Sequence, residues 1–230
     1  MENETALKQA LRTLGIPDNI KVRLVKSKRA PPHSTIVTCS QTQSGKPSLE
    51  YTIEYRKSLS LDLLRHELCH IRLHLMGLPT IQVQTGSQIS LRSQVLKTLH
   101  EDYYANIIIH QRFPQSFSSL LMRGFHKDHH HGIHIHDEVE DDTLAWLLQT
   151  YILKLVVFES LDYRREAEEI REELDNLREE HPHLHLYLNA VTDCLKRLPP
   201  LDMDLRQFTE EEKDSVRKTI QTINSVKVAQ

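Results

Sequence analysis

The hydrophobic period of the chain changes at Ser60, and this change constrains the fold more than any other feature. Just before it, Tyr51, Ile53 and Tyr55 alternate with polar residues, which is the pattern of a half-buried strand. After it, the segment SLDLLRHELCHIRLHLMG has the apolar spacing of an amphipathic helix, with Ser60 as a candidate N-cap and Gly77 as a candidate stop. Because strand and helix patterns follow one another directly, we expect an α+β fold.

Patterns on either side of this point predict the order of the elements. Before it we expect a helix at 4–14 and strands at 20–26, 35–39 and 49–55; after it, helices at 88–111, 116–123, 143–158, 161–180, 184–195 and 208–226. The 230 residues include six glycines and nine prolines, which is typical of a helix-rich chain. We therefore expect an N-terminal helix and a small three-stranded sheet packed on two long helices, followed by an all-helical C-terminal part.

Composition argues against several classes of protein. The net charge of −3 lacks the basic excess of a general nucleic-acid binder, and three widely spaced cysteines suggest a reducing compartment. The N-terminal residues are polar and acidic, unlike a signal peptide. The most apolar run, 144–158, is shorter than the roughly 18 residues of a membrane span and is interrupted by Gln149, Thr150 and Lys154. We expect a soluble, cytoplasmic protein without a membrane or nucleic-acid partner, and its oligomeric state stays open.

The residues with the clearest chemistry are His66-Glu67-Leu68-Cys69-His70. On a helix, residues i and i+4 lie on one face about 6 Å apart, so both imidazoles can reach one ion. Zinc suits two imidazoles and one oxygen, and it lowers the pKa of its bound water to about 7. Glu67, beside the first histidine, can hold and deprotonate that water. The sequence therefore predicts one catalytic Zn²⁺, with Glu67 as the general base.

A catalytic zinc normally has a third protein ligand, and the next predicted helix carries the segment HEDYYAN at 100–106. An HExxH helix followed about 30 residues later by an acidic helix resembles the zincin metallopeptidases. In their gluzincin branch the second helix reads Glu-x-x-(Ala/Ser)-(Asp/Asn). This resemblance implies Asp102 as the third ligand, with Asp where the family usually has Glu. Glu101 is the alternative ligand, and Asn106 takes the position that holds a ligand histidine.

The order of elements over residues 1–115 also looks like the minimal gluzincin core of the ImmA/IrrE kind. That resemblance implies hydrolysis of a peptide or protein substrate, with the strand at 49–55 pairing with the extended substrate. Such enzymes also need a donor for the oxyanion of the tetrahedral intermediate. Tyr103, Tyr104, Tyr151 and several histidines are candidates, and the sequence does not choose among them. For His74 we expect a structural role more than a substrate contact, and for Cys69 a packing role.

Six of the 15 histidines fall within 125–137, and this segment is the natural boundary between two parts of the chain. We expect a zincin-like metallopeptidase core at 1–125, a loop rich in histidine and acid at 126–142 and a helical subdomain at 143–230. The loop can gather metal, cover the site as a pH-sensitive lid, or merely be solvated. Its candidate accessory metal ligands are His129, His131, His134 and His136.

Together these features favour a zinc metalloendopeptidase, held latent if the helical half covers the cleft. The alternative is a non-enzymatic regulatory or binding protein that keeps the fold and the metal site. A DNA-associated protease of the SprT-like kind also carries an HELCH-type helix, but the net charge and the lack of a basic tail argue against it.

Overall fold

The computed structural model describes residues 2–28, 35–42, 48–79, 90–128, 133, 135, 139–202 and 204–227. It confirms the α+β fold. The N-terminal elements are α1 (Glu2–Thr13), β1 (Lys21–Lys26), β2 (Thr35–Thr42), β3 (Ser48–Tyr55), α2 (Leu61–Leu75) and α3 (Leu91–Arg112). The later helices are α4 (Pro114–Phe117), α5 (Arg123–Asp128), α6 (Asp141–Leu147), α7 (Leu153–Ser160), α8 (Arg164–Glu180), α9 (Pro182–Leu195) and α10 (Glu210–Ser225). Two π-helical turns, π1 (Ser118–Met122) and π2 (Leu148–Ile152), join α4 to α5 and α6 to α7.

The sheet has the order β1-β3-β2, so β3 is its central strand. It pairs in parallel with β1 and antiparallel with β2, in the registers Lys21↔Glu50 and Thr35↔Tyr55. The expectation that the strand at 49–55 pairs with a substrate is therefore wrong, because both of its backbone edges are already bonded. Its apolar residues explain the central position, since Tyr51 and Ile53 are almost fully buried. Within the described residues, the outer edge of β2 carries no partner strand.

Helix α2 begins and ends where its sequence predicts. The Ser60 side chain accepts a hydrogen bond from the Leu63 backbone N–H at 3.1 Å, which satisfies one of the free donors of the first turn. Gly77 follows the last turn with φ 80°, a left-handed conformation in which glycine has no Cβ penalty. The apolar stripe of α2 between these ends is buried, including Leu64, Leu68 and Ile71.

Helix α3 connects the two parts of the chain. It packs against α2 on one side and against α6, α7 and α10 on others, and its second half is buried almost all round. The apolar residues of the N-terminal and C-terminal parts form one continuous core. A helix buried on several sides has a fixed rotation about its axis, so the direction of each of its polar side chains is fixed as well.

A buried serine joins α2 to α4. The Ser116 hydroxyl donates to Asp62 Oδ1 at 2.6 Å and accepts from Arg65 Nη1 at 2.8 Å. The guanidinium of Arg65 also lies over the Phe113 ring, 4.9 Å from its centroid. These contacts hold the start of α2, just before its histidine pair, against α4 and the residue that ends α3.

The helix that starts at Pro114 extends further than predicted. It continues through π1 to Asp128, so His126 lies on a helix and not in a loop. Phe125 explains the extension, because it is fully buried and packs edge-on against Phe158 at 5.4 Å. His129, His131, His134 and His136 lie outside the described residues.

In the part of the chain that the structure describes, every helix is too short or too polar to cross a membrane.

Candidate metal centre

The two histidines of α2 face each other across one helical turn. Their Nε2 atoms are 3.0 Å apart, and the rings meet edge-on with centroids 4.7 Å apart. Leu68 and Cys69, between them, point the other way and are fully buried. The helical period therefore separates a core face from a polar face, and Cys69 packs in the core with its pKa raised by burial.

Asp102 of α3 completes a group of three. Its Oδ1 lies 3.5 Å from His66 Nε2 and 3.3 Å from His70 Nε2. Ligand atoms about 2.0–2.1 Å from a tetrahedral zinc ion lie roughly 3.3–3.4 Å from one another. Among the described residues, His66, His70 and Asp102 form a group that could hold a metal ion, and their spacing matches that geometry. The donor set fits zinc, although two imidazoles and one carboxylate also suit other divalent ions.

Glu101, the alternative third ligand, lies on the other side of His70. Its Oε2 is 3.8 Å from His70 Nδ1, the ring nitrogen that points away from the three-atom group. A carboxylate at this position can orient a ligand histidine and strengthen it as a donor. The rotation of α3 thus separates two adjacent acids, with Asp102 facing both Nε2 atoms and Glu101 beside the back of one ring.

The charges of the group depend strongly on one another. Burial alone would lower the pKa of His70, but the hydrogen bond and charge of Asp102, with the charges of Glu67 and Glu101, raise it to about 9. Burial would raise the pKa of Asp102, but its hydrogen bonds to the two histidines hold that pKa below its usual value. Burial raises the pKa of Glu101 to about 7. Asp102 is therefore ionised at neutral pH, as a metal ligand must be.

Asn106 makes a different contact from the one implied by the resemblance. Its Nδ2 donates to the backbone carbonyl of Asp102 at 2.9 Å, so in this structure it supports the turn of α3 that carries Asp102. Its Oδ1 is buried and has no hydrogen-bond partner among the described residues. A hydrogen bond from Asn106 to a ligand histidine stays a prediction.

The three residues open into a cavity of ≈ 670 Å³, which we call the main cavity. Glu67 lines it together with His66 and His70, so the proposed base shares one space with the proposed ligands. The other walls come from β2, β3, α2, α3 and π2; they include Val37, Cys39, Tyr51, His74, Gln94, Thr98 and Gln149. The proposed base and the candidate ligands, His66, Glu67, His70, Glu101 and Asp102, thus line one open cleft.

A smaller side pocket of ≈ 290 Å³ adjoins the main cavity at His66 and Asp102. Its apolar wall consists of Leu63, Leu120, Leu121 and Leu153. Gln149 lines both spaces, and Lys154 lines the side pocket. The sequence carried a signal for both residues, since they interrupt the most apolar run of the chain. Those interruptions were interpreted only as evidence against a membrane span.

The three tyrosines that the sequence suggested as oxyanion donors lie elsewhere. The Tyr103 hydroxyl is 3.0 Å from Ser160 Oγ, and the Tyr104 hydroxyl donates to the Pro199 carbonyl at 2.7 Å. Tyr151 is fully buried. The described lining of the main cavity includes none of these three tyrosines.

No protein-family model, curated protein or solved structure matched this chain. The resemblance to zincins and the binding of zinc therefore stay predictions.

Proposed function

We propose that this protein is a zinc-dependent endopeptidase whose zinc ligands are His66, His70 and Asp102. The observation that carries the proposal is the three-atom group, with spacings of 3.0, 3.3 and 3.5 Å, on the wall of the main cavity that Glu67 also lines. Three protein ligands leave a tetrahedral ion one open position, which is the arrangement of catalytic and not of structural zinc sites.

The residues of the site divide the chemistry between them. When bound, zinc supplies an acidified water and polarises the substrate carbonyl. Glu67 accepts the proton of the attacking water and later passes it to the leaving amine. Glu101, beside His70 Nδ1, orients the ring of that ligand.

The shape of the cleft supports an extended substrate. Val37 of β2 lines the main cavity, and the outer edge of β2 is unpaired within the described residues. An extended peptide can add to such an edge through its backbone hydrogen bonds. The side pocket, next to His66 and Asp102, offers a space with an apolar wall of four leucines beside the bond to be cut.

The test is Glu67→Gln in the full-length, zinc-loaded protein, with a mixture of quenched fluorescent peptides as substrate. We expect unchanged zinc content and a loss of hydrolysis of roughly 10²–10⁴-fold, because only the base is removed. Glu172→Gln, on the exposed face of α8, is the matched control and is expected to keep full activity.

Two results would overturn the proposal. One is a wild-type protein that does not bind zinc at micromolar concentrations. The other is a zinc-loaded protein whose peptide hydrolysis is absent or is unaffected by Glu67→Gln; with zinc bound and hydrolysis absent, the alternative of a non-enzymatic binding protein would take its place.

A further inference from the structure

A chain of three polar side chains lines the main cavity beside the candidate metal ligands. It consists of Cys39 on β2, Tyr51 on β3 and His74 on α2. Cys39 and Tyr51 are directly opposite each other in the sheet, and His74 lies one turn after His70 on α2. Strand pairing and helical period therefore bring these side chains to one wall, and the function proposed above uses none of them.

Tyr51 holds the histidine in place. Its hydroxyl is 2.8 Å from His74 Nδ1, and the two rings meet edge-on with centroids 5.6 Å apart. Tyr51 is 1% exposed, so packing fixes the position of its hydroxyl. His74 itself is exposed toward the cavity.

The direction of the hydrogen bond between Tyr51 and His74 follows from how well the groups beside the Tyr51 hydroxyl donate and accept. The Cys39 thiol is the other polar group beside Tyr51, because the two residues are paired across the sheet. A thiol is a weak donor and its sulfur a weak acceptor, whereas an imidazole nitrogen is a good acceptor. Of these two neighbours the imidazole is the better acceptor, so the Tyr51 hydroxyl donates to His74 Nδ1. Burial and the neighbouring thiol raise the pKa of Tyr51, so its proton stays available.

This direction fixes the tautomer of the histidine. With Nδ1 accepting, the proton of the neutral ring is on Nε2. The ring then presents an N–H donor that Tyr51 does not use, on the wall of the cavity that contains Glu67 and the candidate ligands.

We propose that His74 is a catalytic residue whose Nε2–H stabilises the oxyanion, and that Tyr51 is the positioning residue that sets its tautomer. This inference rests on the proposed function. As water adds to the peptide carbonyl, a C–O bond forms, Glu67 takes the water proton, and the carbonyl π electrons move to the oxygen that His74 contacts. When the C–N bond breaks, those electrons re-form the carbonyl and Glu67 returns the proton to the amine.

The kinetic test compares His74→Ala with His74→Gln in the full-length, zinc-loaded protein. We expect His74→Ala to lower kcat about 10²–10³-fold, the usual effect of removing one oxyanion donor, with zinc content unchanged and KM changed less. Glutamine can place its amide N–H near the position of the histidine Nε2, so His74→Gln should recover part of kcat. His110→Ala is the matched control, because His110 Nε2 lies 3.2 Å from the Tyr163 hydroxyl in a similar pair that does not line the main cavity.

A second measurement reads the tautomer directly. The ¹⁵N chemical shifts of His74 should show an unprotonated Nδ1 and a protonated Nε2, and Tyr51→Phe should allow the other tautomer and lower kcat with little change in KM. Wild-type and His74→Ala proteins that hydrolyse peptide equally fast would overturn the role of His74 while the proposed function stands. A protonated Nδ1 in the wild type would overturn the role of Tyr51 and of the Nε2 donor. A wild-type protein without hydrolysis would overturn the proposed function and this inference together.

Discussion

The substitution Asp102→Glu tests whether the tertiary structure requires the shorter acid. Glutamate adds one carbon–carbon bond of about 1.5 Å, whereas metal–ligand distances tolerate about 0.2 Å. The backbone at this position cannot shift to make room, because Tyr103 and Tyr104 beside it are buried and the Asp102 carbonyl accepts a hydrogen bond from the Asn106 side chain. We therefore expect the longer side chain to misplace the carboxylate and to weaken zinc binding.

We expect zinc affinity to fall roughly 10–100-fold, the loss usually caused by mutating a residue that supports a metal ligand. This corresponds to about 1.4–2.8 kcal/mol of binding free energy. Asp102→Ala, which removes the ligand, should lose more. Competition with a fluorescent zinc chelator measures these affinities on protein freed of metal. In a thermal scan, zinc at 100 times its Kd should stabilise the wild type by about 2.7 kcal/mol, or roughly 5–10 °C for a chain of this size.

An affinity of Asp102→Glu within threefold of the wild type would refute this reasoning, because it would mean that α3 can shift to accommodate either acid. Glu101→Gln separates the two candidate ligands. It keeps the size of the side chain beside His70 Nδ1, and we expect a smaller loss than for Asp102→Ala. The reverse order would assign the third ligand to Glu101.

Three further predictions concern stability. Ser116→Ala removes the hydrogen bonds that join α2 to α4. It should lower the free energy of unfolding, measured in urea, by about 1–3 kcal/mol, as expected for a broken buried network. Ser118→Ala, at an exposed position, is the control and should change it little. Gly77→Ala should destabilise by about 1–2 kcal/mol, because φ is 80° there and a Cβ penalises the left-handed region. Hydrogen bonds from the Arg206 side chain and the Thr209 backbone lower the pKa of Glu212 from 4.5 to about 2. The ionised carboxylate therefore stabilises the fold above pH 4.5, and this contribution is lost as the pH falls toward 2. Glu212→Gln should therefore lower the unfolding midpoint at pH 7, and the difference from the wild type should shrink at pH 3.

Each of these three has a contrary outcome. Equal urea midpoints for wild type and Ser116→Ala would show that the bridge contributes nothing. A stability gain in Gly77→Ala would mean that α2 ends without a left-handed residue. A Glu212→Gln effect that is the same at pH 3 as at pH 7 would place its origin in something other than the carboxylate charge.

Much of the fold could be predicted from the sequence because its signals are local. The strand alternation around Tyr51, the cap at Ser60 and the stop at Gly77 each act within a few residues, and the structure has all three. The order of the strands could not be predicted in this way. Alternation tells which face of a strand is buried but says nothing about which strands lie beside it, so the central position of β3 was missed.

The extension of the helix at 116–123 as far as Asp128 was missed for a related reason. Its polar composition after Phe125 resembles a loop, and only the packing of Phe125 against Phe158 shows why the helix continues. Gln149 and Lys154 were visible as polar breaks in an apolar run. The side pocket that they line, however, exists only once π1, π2 and α3 have packed together.

The candidate metal centre divides in the same way between sequence and tertiary structure. The sequence by itself determined that His66 and His70 lie on one face of a helix, because a spacing of four residues fixes directions about a single helix axis. Which acid of α3 meets them was decided by the rotation of that helix, and the rotation is fixed by apolar side chains from α2, α6, α7 and α10. The pairing of Tyr51 with His74 likewise depends on how the sheet lies against α2. Directions about one helix are a property of neighbouring residues, whereas distances between two elements are set by a core to which the whole chain contributes.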